Sequence, residues 1–140
     1  MLRVMFLCTG NSCRSQIAEG LARYMGKGLL EVYSAGVMPV GVNPYAIAVM
    51  KEIGIDISKQ TSDPIDPELI EKMDYVITLC EHADALCPRL PEGVKKIHWP
   101  IKDPVSVVGS PEVVMDAFRQ TRDEIYRRLK EFFKDINQSS

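Results

Sequence analysis

Residues 4–18 read VMFLCTGNSCRSQIA, and their pattern gives the first indication of the fold. The apolar run of residues 4–7 is typical of a strand that is covered on both faces. A loop of seven residues, 8–14, follows, and apolar side chains then recur at helical spacing, at Ile17, Ala18, Leu21, Ala22 and Met25. A buried strand that leads through a short loop into an amphipathic helix predicts the start of a parallel α/β sheet.

The rest of the chain continues the alternation of strands and helices. Further strands are predicted at residues 29–33, 75–79 and 96–99. A helix with Asn43 as N-cap and Pro44 at its first position is expected to end at Gly54 and to bury Ala46, Val49, Met50 and Ile53. A short helix starts at residue 66, and a long one over residues 110–134 has an apolar face formed by Val114, Phe118, Ile125, Leu129 and Phe132.

Loops are predicted for residues 55–65 and for the proline-containing stretch after residue 79. In the stretch after residue 79, residues 81–86 form a segment that is short and polar enough to rearrange. The C-terminal tail, residues 137–140, is expected to fray. Four strands separated by helices predict an α/β fold: a small four-stranded parallel sheet with right-handed crossovers and helices on both faces.

Composition excludes several classes of protein. The chain has 140 residues, 46% of them apolar and 26% charged, which predicts a single globular domain over residues 1–140. A net charge of −2 lacks the basic footprint of a nucleic-acid-binding protein. The longest apolar run, residues 45–50, is far shorter than the ~20 residues of a membrane span, and the start does not resemble a secretory signal. We therefore expect a cytoplasmic protein.

The loop between the first strand and the first helix has the features of an oxyanion site. Gly10 and small polar neighbours allow the backbone N–H groups to point inward, and the helix opening at Ser15 adds its positive dipole end. Arg14 offers a planar fork for two oxygens, and the same positive field favours the thiolate form of Cys8, to which Ser15 can donate a hydrogen bond. The predicted oxyanion loop comprises Thr9, Gly10, Asn11, Ser12, Cys13, Arg14 and Ser15.

Three chemistry-bearing residues follow strand ends. Cys8 follows the first strand, Cys80 follows the third, and Asp103 lies in the loop after the fourth. In parallel sheets ligands bind at the carboxyl ends of the strands, near the switch in strand order. These three side chains are therefore expected at one edge of the sheet.

The four cysteines are too few for a disulfide scaffold, so they are catalytic, metal-binding or core residues. A redox relay would use Cys80 and Cys87, whereas a phosphatase needs neither. The alternative is that these two cysteines are packing residues without a chemical role. Cys13 is interpreted as a packing residue. A zinc site remains a further alternative, although Cys-x4-Cys and Cys-x6-Cys differ from the usual ligand spacings, and His82 and His98 are interpreted as loop and strand residues.

Motifs along the whole chain resemble a known family. They are Leu7 to Gln16, Ala18-Glu19-Gly20, Tyr33-Ser34-Ala35-Gly36, Asn43-Pro44, Gly54 to Ser58, Gln60 to Asp63, Thr78-Leu79-Cys80, Cys87-Pro88, His98-Trp99 and Asp103-Pro104. Over residues 2–133 they resemble the low-molecular-weight protein tyrosine phosphatase superfamily, and within it the thioredoxin-coupled arsenate reductases. The resemblance implies the phosphatase-like α/β fold.

The resemblance also implies a mechanism. Cys8 attacks bound arsenate while the loop amides and Arg14 hold its oxygens, and Asp103 protonates the departing hydroxide. Cys80 then attacks the adduct and arsenite leaves, after which Cys87 attacks Cys80 and thioredoxin reduces the final disulfide. No cofactor is required on this view, and the partners are arsenate and thioredoxin. The chain is expected to act as a monomer.

The resemblance also implies a candidate metal site. Some family members hold a potassium ion near the loop, and the matching positions here are oxygen donors suited to a hard cation: Asn11, Glu19, Ser34, Thr61 and Asp63. Gln60 stands where some of those members have His, and without a metal the five residues would form a polar network.

The main alternative function is a low-molecular-weight phosphatase acting on phosphotyrosine or aryl phosphates; a passive oxyanion-binding module is a third. The phosphatase would share Cys8, Arg14 and Asp103, so Cys80 and Cys87 distinguish the two activities. Phosphatases of the family also place their acid nearer the C-terminus, before Pro-Tyr, whereas Asp103 precedes Pro104-Val105. Weak phosphatase activity in an arsenate reductase would not be surprising, since phosphate hydrolysis and arsenate reduction both begin with attack by the same thiolate.

Overall fold

The computed structural model describes residues 1–138. Its strands are β1 (Leu2–Cys8), β2 (Leu30–Gly36), β3 (Tyr75–Thr78) and β4 (Lys95–His98). Its helices are α1 (Arg14–Met25), α2 (Pro44–Lys51), α3 (Pro67–Ile70), α4 (Glu81–Leu86) and α5 (Pro111–Gln138), with a 3-10 turn at Pro104–Ser106. The strands form one parallel sheet in the order β2-β1-β3-β4. The predicted α/β fold is confirmed.

The central strand β1 positions the site. Five consecutive residues, 4–8, are buried, so both faces of β1 are covered. The strand order reverses at β1, with β2 on one side and β3 on the other. Leu7 pairs with Thr78, so the carboxyl ends of β1 and β3 lie side by side. This is the switch point at which such sheets bind ligands.

Helix α5 covers the core through the face predicted from its periodicity. Phe118, Ile125, Leu129 and Phe132 are buried, and Val114 is partly buried against them. The helix continues to Gln138, beyond the predicted end at residue 134, because Phe133 and Ile136 also pack against the core. Of the tail that was expected to fray, residues 137 and 138 are helical, and residues 139 and 140 lie outside the described chain. Within residues 1–138 no helix is long and apolar enough to cross a membrane.

Three further local predictions were wrong. Strand β2 runs to Gly36 rather than residue 33, because it pairs with β1 up to Cys8. Ile53 is 45% exposed, since α2 ends at Lys51 and Ile53 lies in the turn beyond it. Residues 81–86 form α4 instead of an irregular loop: Cys80 Sγ accepts the Ala83 N–H at 3.3 Å and the Ala83 side chain is buried. The two alanines and the leucine of α4 also favour helix.

Candidate active site

The predicted loop borders a cavity of about 420 Å³ at the carboxyl end of β1. The loop and the turn after β4 supply its polar lining: Cys8, Thr9, Gly10, Ser12, Cys13, Arg14 and Asp103. Asn43 adds a further polar group, and an apolar rim consists of Met38, Val40 and Val105. The structure therefore brings Cys8, Arg14 and Asp103 to one site. The rim residues were not predicted, because they come from loops without a motif.

Cys8 lies at the base of this site and is held by hydrogen bonds. It is buried, and its Sγ lies 2.8 Å from Ser15 Oγ. Asn11 Nδ2 donates to the same Ser15 oxygen at 3.0 Å, which leaves the Ser15 hydroxyl hydrogen for Cys8. Helix α1 begins at Arg14, so its free N–H groups open toward the loop. The Cys8 sulfur therefore lies beside a hydroxyl donor and near the positive end of a helix dipole.

Asn11 and Gln16 fix the curvature of the loop. Asn11 has φ of 45°, a left-handed conformation that Asn tolerates better than most residues. Its side-chain oxygen accepts from Gln16 Nε2 at 2.7 Å and from Asp63 N at 3.2 Å. Gln16 Nε2 is also 3.0 Å from the Asn11 carbonyl and 2.9 Å from the Thr61 carbonyl. Sequence analysis missed this role of Gln16, although a polar residue in the buried first turn of a helix was a signal.

Gly36, at the end of β2, allows the loop to pack against the sheet. A Cβ at this position would lie 2.6 Å from Asn11 N and 2.9 Å from the Thr9 carbonyl oxygen. Both are backbone atoms of the oxyanion loop, so the loop itself would have to move. Only glycine fits here without displacing the site.

We expect Gly36→Ala to lower the free energy of unfolding by about 1–3 kcal/mol, the usual cost of overpacking a tight site. It should also weaken binding of inorganic phosphate, since the loop amides shift. Urea denaturation and phosphate titration measure the two effects. Gly109→Ala is the control, because its added Cβ meets the side chain of half-exposed Val113 rather than backbone. Equal behaviour of both variants would contradict the packing role of Gly36.

Arg14 and Asp103 lie next to each other in the lining of the cavity. Arg14 is largely buried, and its Nη1 donates to the Ile101 carbonyl at 2.9 Å. Its Nη2 lies 3.7 Å from Asp103 Oδ2. Asp103 Oδ1 accepts the Val105 N–H at 3.0 Å, which caps the 3-10 turn. One oxygen of Asp103 is therefore used to hold the loop, and the other is directed to Arg14.

Cys13 differs from Cys8 in its electrostatics. Burial raises the pKa of Cys13 to about 12, and the nearby Asp103 carboxylate adds to the rise. Its thiol therefore stays protonated at neutral pH, which agrees with its interpretation as a packing residue.

Cys80 and Cys87 lie at the two ends of α4. Cys80 is buried, and its Sγ is 3.2 Å from Thr9 Oγ1 of the oxyanion loop. Cys87 is partly buried, and this burial raises the pKa of its thiol. At about 1.5 Å of rise per residue, the two Cα atoms are on the order of 10 Å apart, whereas a disulfide needs about 4.4–6.8 Å. The two thiols are free, and they cannot bond while α4 is intact.

The five positions expected to bind potassium are hydrogen-bonded among themselves and to neighbours. Glu19, Ser34, Thr61 and Asp63 line one cavity of about 300 Å³, and Asn11 joins them through the Asp63 N–H. The Glu19 carboxylate accepts from Ser34 Oγ and from Arg23 Nε, and Thr61 Oγ1 donates to Asp63. These hydrogen bonds join the five residues into a polar network, which is the alternative to a bound cation. Potassium binding stays a prediction.

The described residues do not form the zinc site that was considered as an alternative. Residues 1–138 contain no group of three or more His, Cys, Asp or Glu side chains arranged to hold a metal ion. His98 lies on β4 as expected, with its Nδ1 2.8 Å from Thr78 Oγ1, while His82 lies on α4 rather than in a loop.

A buried cysteine, a loop of backbone amides, an arginine and a helix N-terminus lie together at the switch point of the parallel sheet. This arrangement has the chemistry of an oxyanion-binding site. A family model described as low molecular weight phosphotyrosine protein phosphatase matches residues 3–140, and the chain belongs to this family. The resemblance seen in the sequence is thereby confirmed.

Individual relatives carry a more specific name. A protein of Halalkalibacterium halodurans named arsenate reductase is 53% identical over 92% of this chain and 93% of its own length. One of Bacillus subtilis with the same name is 52% identical over the same shares. A solved structure of an arsenate reductase in the oxidized state matches with a TM-score of 0.82 and 38% identity over 97% of this chain and 99% of that one. The thioredoxin-dependent arsenate reductase of Corynebacterium glutamicum matches with a TM-score of 0.81 and 29% identity over 100% of this chain and 64% of that one.

Proposed function

We propose that this protein is an enzyme that reduces arsenate to arsenite through a relay of Cys8, Cys80 and Cys87, which thioredoxin regenerates. The observation that carries the proposal is the position of Cys80, buried with its Sγ 3.2 Å from Thr9 of the oxyanion loop. A hydrolytic phosphatase has no use for a second thiol there, whereas a reductase needs one. The names of the relatives with about half of their residues identical support the same choice.

The first step is nucleophilic attack. The loop amides and Arg14 hold the arsenate oxygens while the Cys8 thiolate forms a bond to arsenic. One hydroxide is displaced, and Asp103 gives it a proton so that it leaves as water. Arsenic keeps its oxidation state of +5 in this adduct. The nearby Arg14 guanidinium balances the negative charge that Asp103 acquires.

The second step is the reduction itself. The Cys80 sulfur attacks the Cys8 sulfur and loses its proton to solvent. The bond between sulfur and arsenic breaks, its electron pair stays on arsenic, and arsenite leaves. Cys8 and Cys80 are now joined by a disulfide, so two thiols have supplied the two electrons.

The third step moves the oxidation away from the oxyanion loop. The Cys87 thiolate attacks Cys80, and Cys8 leaves as a thiolate ready for the next arsenate. Because α4 separates the two cysteines by on the order of 10 Å, the helix must unwind for this step. The Cys80–Cys87 disulfide then passes to the dithiol of thioredoxin by exchange, and the enzyme is restored.

Asp103→Asn is expected to slow the first chemical step about 100-fold, because an amide cannot protonate the leaving hydroxide. Rapid-quench measurement of arsenite formed in a single turnover reports this step. The number of thiols oxidised per arsenite should stay unchanged. Glu112→Gln, an exposed carboxylate in the first turn of α5, is the control and should react like the wild type. A wild-type rate in Asp103→Asn would remove Asp103 as the acid.

The deciding experiment couples the enzyme to thioredoxin, thioredoxin reductase and NADPH, and adds arsenate to the wild type and to Cys80→Ser. Arsenate-dependent NADPH oxidation that is lost in the variant supports the relay. Hydrolysis of an aryl phosphate is assayed in parallel. Absence of arsenate turnover, together with aryl phosphate hydrolysis that Cys80→Ser retains, would make the protein a phosphatase. Weak phosphatase activity beside arsenate turnover is compatible with the proposal.

We also propose that residues 1–140 act as one domain and as a monomer in the cytoplasm, where thioredoxin is available. Light scattering during size-exclusion chromatography measures the oligomeric state. No step of the proposed reaction uses potassium, and thermal unfolding in KCl compared with NaCl tests whether the ion binds.

A further inference from the structure

Helix α4 has little intrinsic stability. It is six residues long, and helices of this length do not persist in water without tertiary contacts. Ala83 is its one buried side chain, whereas Leu86 is 52% exposed. Apolar packing therefore does not explain why the helix is folded, and polar contacts with the sheet must contribute.

Asp84, in the middle of α4, supplies such contacts. Its Oδ1 accepts a hydrogen bond from Thr78 Oγ1 at 3.0 Å and pairs with Lys96 Nζ at 3.0 Å. These hydrogen bonds to Lys96 and Thr78 hold the pKa of Asp84 below its ordinary value, so the carboxylate is charged at neutral pH. Since Thr78 donates its hydrogen to Asp84, His98 Nδ1, 2.8 Å away, donates to the Thr78 oxygen. Strands β3 and β4 thus both hold α4.

Lys96 makes a second contact with α4. Its Nζ donates to the backbone carbonyl of Asp84 at 3.1 Å. In a continuing helix this carbonyl would accept from the residue four positions later, but that residue is Pro88, which has no N–H. Lys96 therefore replaces a donor that the chain cannot provide, and it binds both the side chain and the backbone of Asp84.

We propose that Thr78, Asp84 and Lys96 form a clamp that keeps α4 folded in the reduced enzyme and thereby opposes formation of the Cys80–Cys87 disulfide. The inference rests on the proposed relay and adds positioning residues to it. The clamp stabilises the reduced state alone, because the helix that carries Asp84 must unwind before Cys87 reaches Cys80. Releasing the clamp shifts the dithiol toward the disulfide.

The equilibrium can be measured without arsenate. Two thiols, Cys80 and Cys87, give one disulfide, two protons and two electrons, and oxidised dithiothreitol accepts the electrons and protons in the test. The background variant Cys8→Ser, Cys13→Ser leaves only this pair of cysteines. It is equilibrated with mixtures of reduced and oxidised dithiothreitol, and the disulfide fraction is measured by thiol alkylation and mass spectrometry.

In this background Asp84→Asn should increase the equilibrium constant for disulfide formation about fivefold, which corresponds to a reduction potential lower by about 20 mV. Lys96→Met should do the same. Because both residues act in one contact, the double variant should show less than the sum of the two shifts. Lys96→Arg keeps the charge and a donor, and should retain most of the wild-type potential.

Glu81→Gln and Lys95→Met are the matched controls. Glu81 is an exposed acid on the same helix, and Lys95 is the exposed neighbour of Lys96 on β4. Far-UV circular dichroism checks that each variant is folded. Potentials of Asp84→Asn and Lys96→Met equal to those of the controls would overturn the clamp while leaving the relay intact. If the background protein forms no Cys80–Cys87 disulfide at all, the proposed relay fails and the clamp fails with it.

Discussion

Cys8→Ser is expected to lower thioredoxin-coupled arsenate reduction by about 10⁴-fold or more, the loss that follows removal of a catalytic nucleophile. The Cys8 sulfur lies at the base of the oxyanion loop, 2.8 Å from the Ser15 hydroxyl. A serine hydroxyl in the same place stays protonated at neutral pH and does not attack arsenic. Arsenite formation is measured directly, so that oxidation of NADPH by other routes does not count as turnover.

Cys13→Ser is the matched control for this prediction. Cys13 is a buried thiol of the same loop, but burial raises its pKa to about 12, so it is not a thiolate at neutral pH. Its replacement should leave most of the rate. A large loss in Cys13→Ser combined with turnover in Cys8→Ser would exchange the roles of the two cysteines and refute the mechanism.

Cys87→Ser is expected to form about one arsenite per enzyme and then to stop, even with thioredoxin present. The first two steps use Cys8 and Cys80, which lie at the oxyanion loop, and do not need Cys87. The variant should accumulate the Cys8–Cys80 disulfide, leaving Cys13 as the one free thiol, which is alkylated after the protein has been denatured. Rapid quenching and alkylation measure the burst and the thiols in the same sample.

Leu86→Ser is the control for Cys87→Ser. Leu86 is the neighbouring residue, at the end of α4, and it is 52% exposed, so this change leaves the three relay thiols in place. Leu86→Ser should therefore continue to reduce arsenate over many turnovers when thioredoxin is present. Steady arsenite production by Cys87→Ser with thioredoxin would show that thioredoxin reduces the first disulfide directly.

The pH dependence of the third step has a defined direction. While α4 is folded, burial raises the pKa of Cys87, so its thiolate fraction in that state is small at neutral pH. The thiolate fraction of a cysteine grows as the pH rises toward its pKa, whether the helix is folded or unwound. Decay of the Cys8–Cys80 disulfide in the wild type should therefore accelerate between about pH 7 and 8 wherever thiolate attack limits it. Stopped alkylation at several pH values measures this rate.

The parallel α/β sheet, the loop between β1 and α1, and the position of Cys8, Cys80 and Asp103 at one edge of the sheet were predictable from the sequence. These follow from local signals, because hydrophobic periodicity identifies strands and helices, and the connection rules of parallel sheets place the strand ends together. The left-handed backbone of Asn11 agrees with its residue type, because Asn tolerates this conformation better than most residues. The proposed roles of residues 8–15 could be inferred from the sequence because these residues are adjacent in the chain.

Features that depend on contacts between distant segments were visible only in the structure. Gly36 is required because the loop backbone at Asn11 packs against it, and no local rule predicts that approach. Residues 81–86 include polar side chains, and Pro88 follows them closely. They are nevertheless helical, because Cys80 caps the helix and Asp84 contacts Thr78 and Lys96 on the sheet. A helix of six residues lacks the local free energy to form by itself, so its existence is set by packing and ion pairing that the sequence does not display.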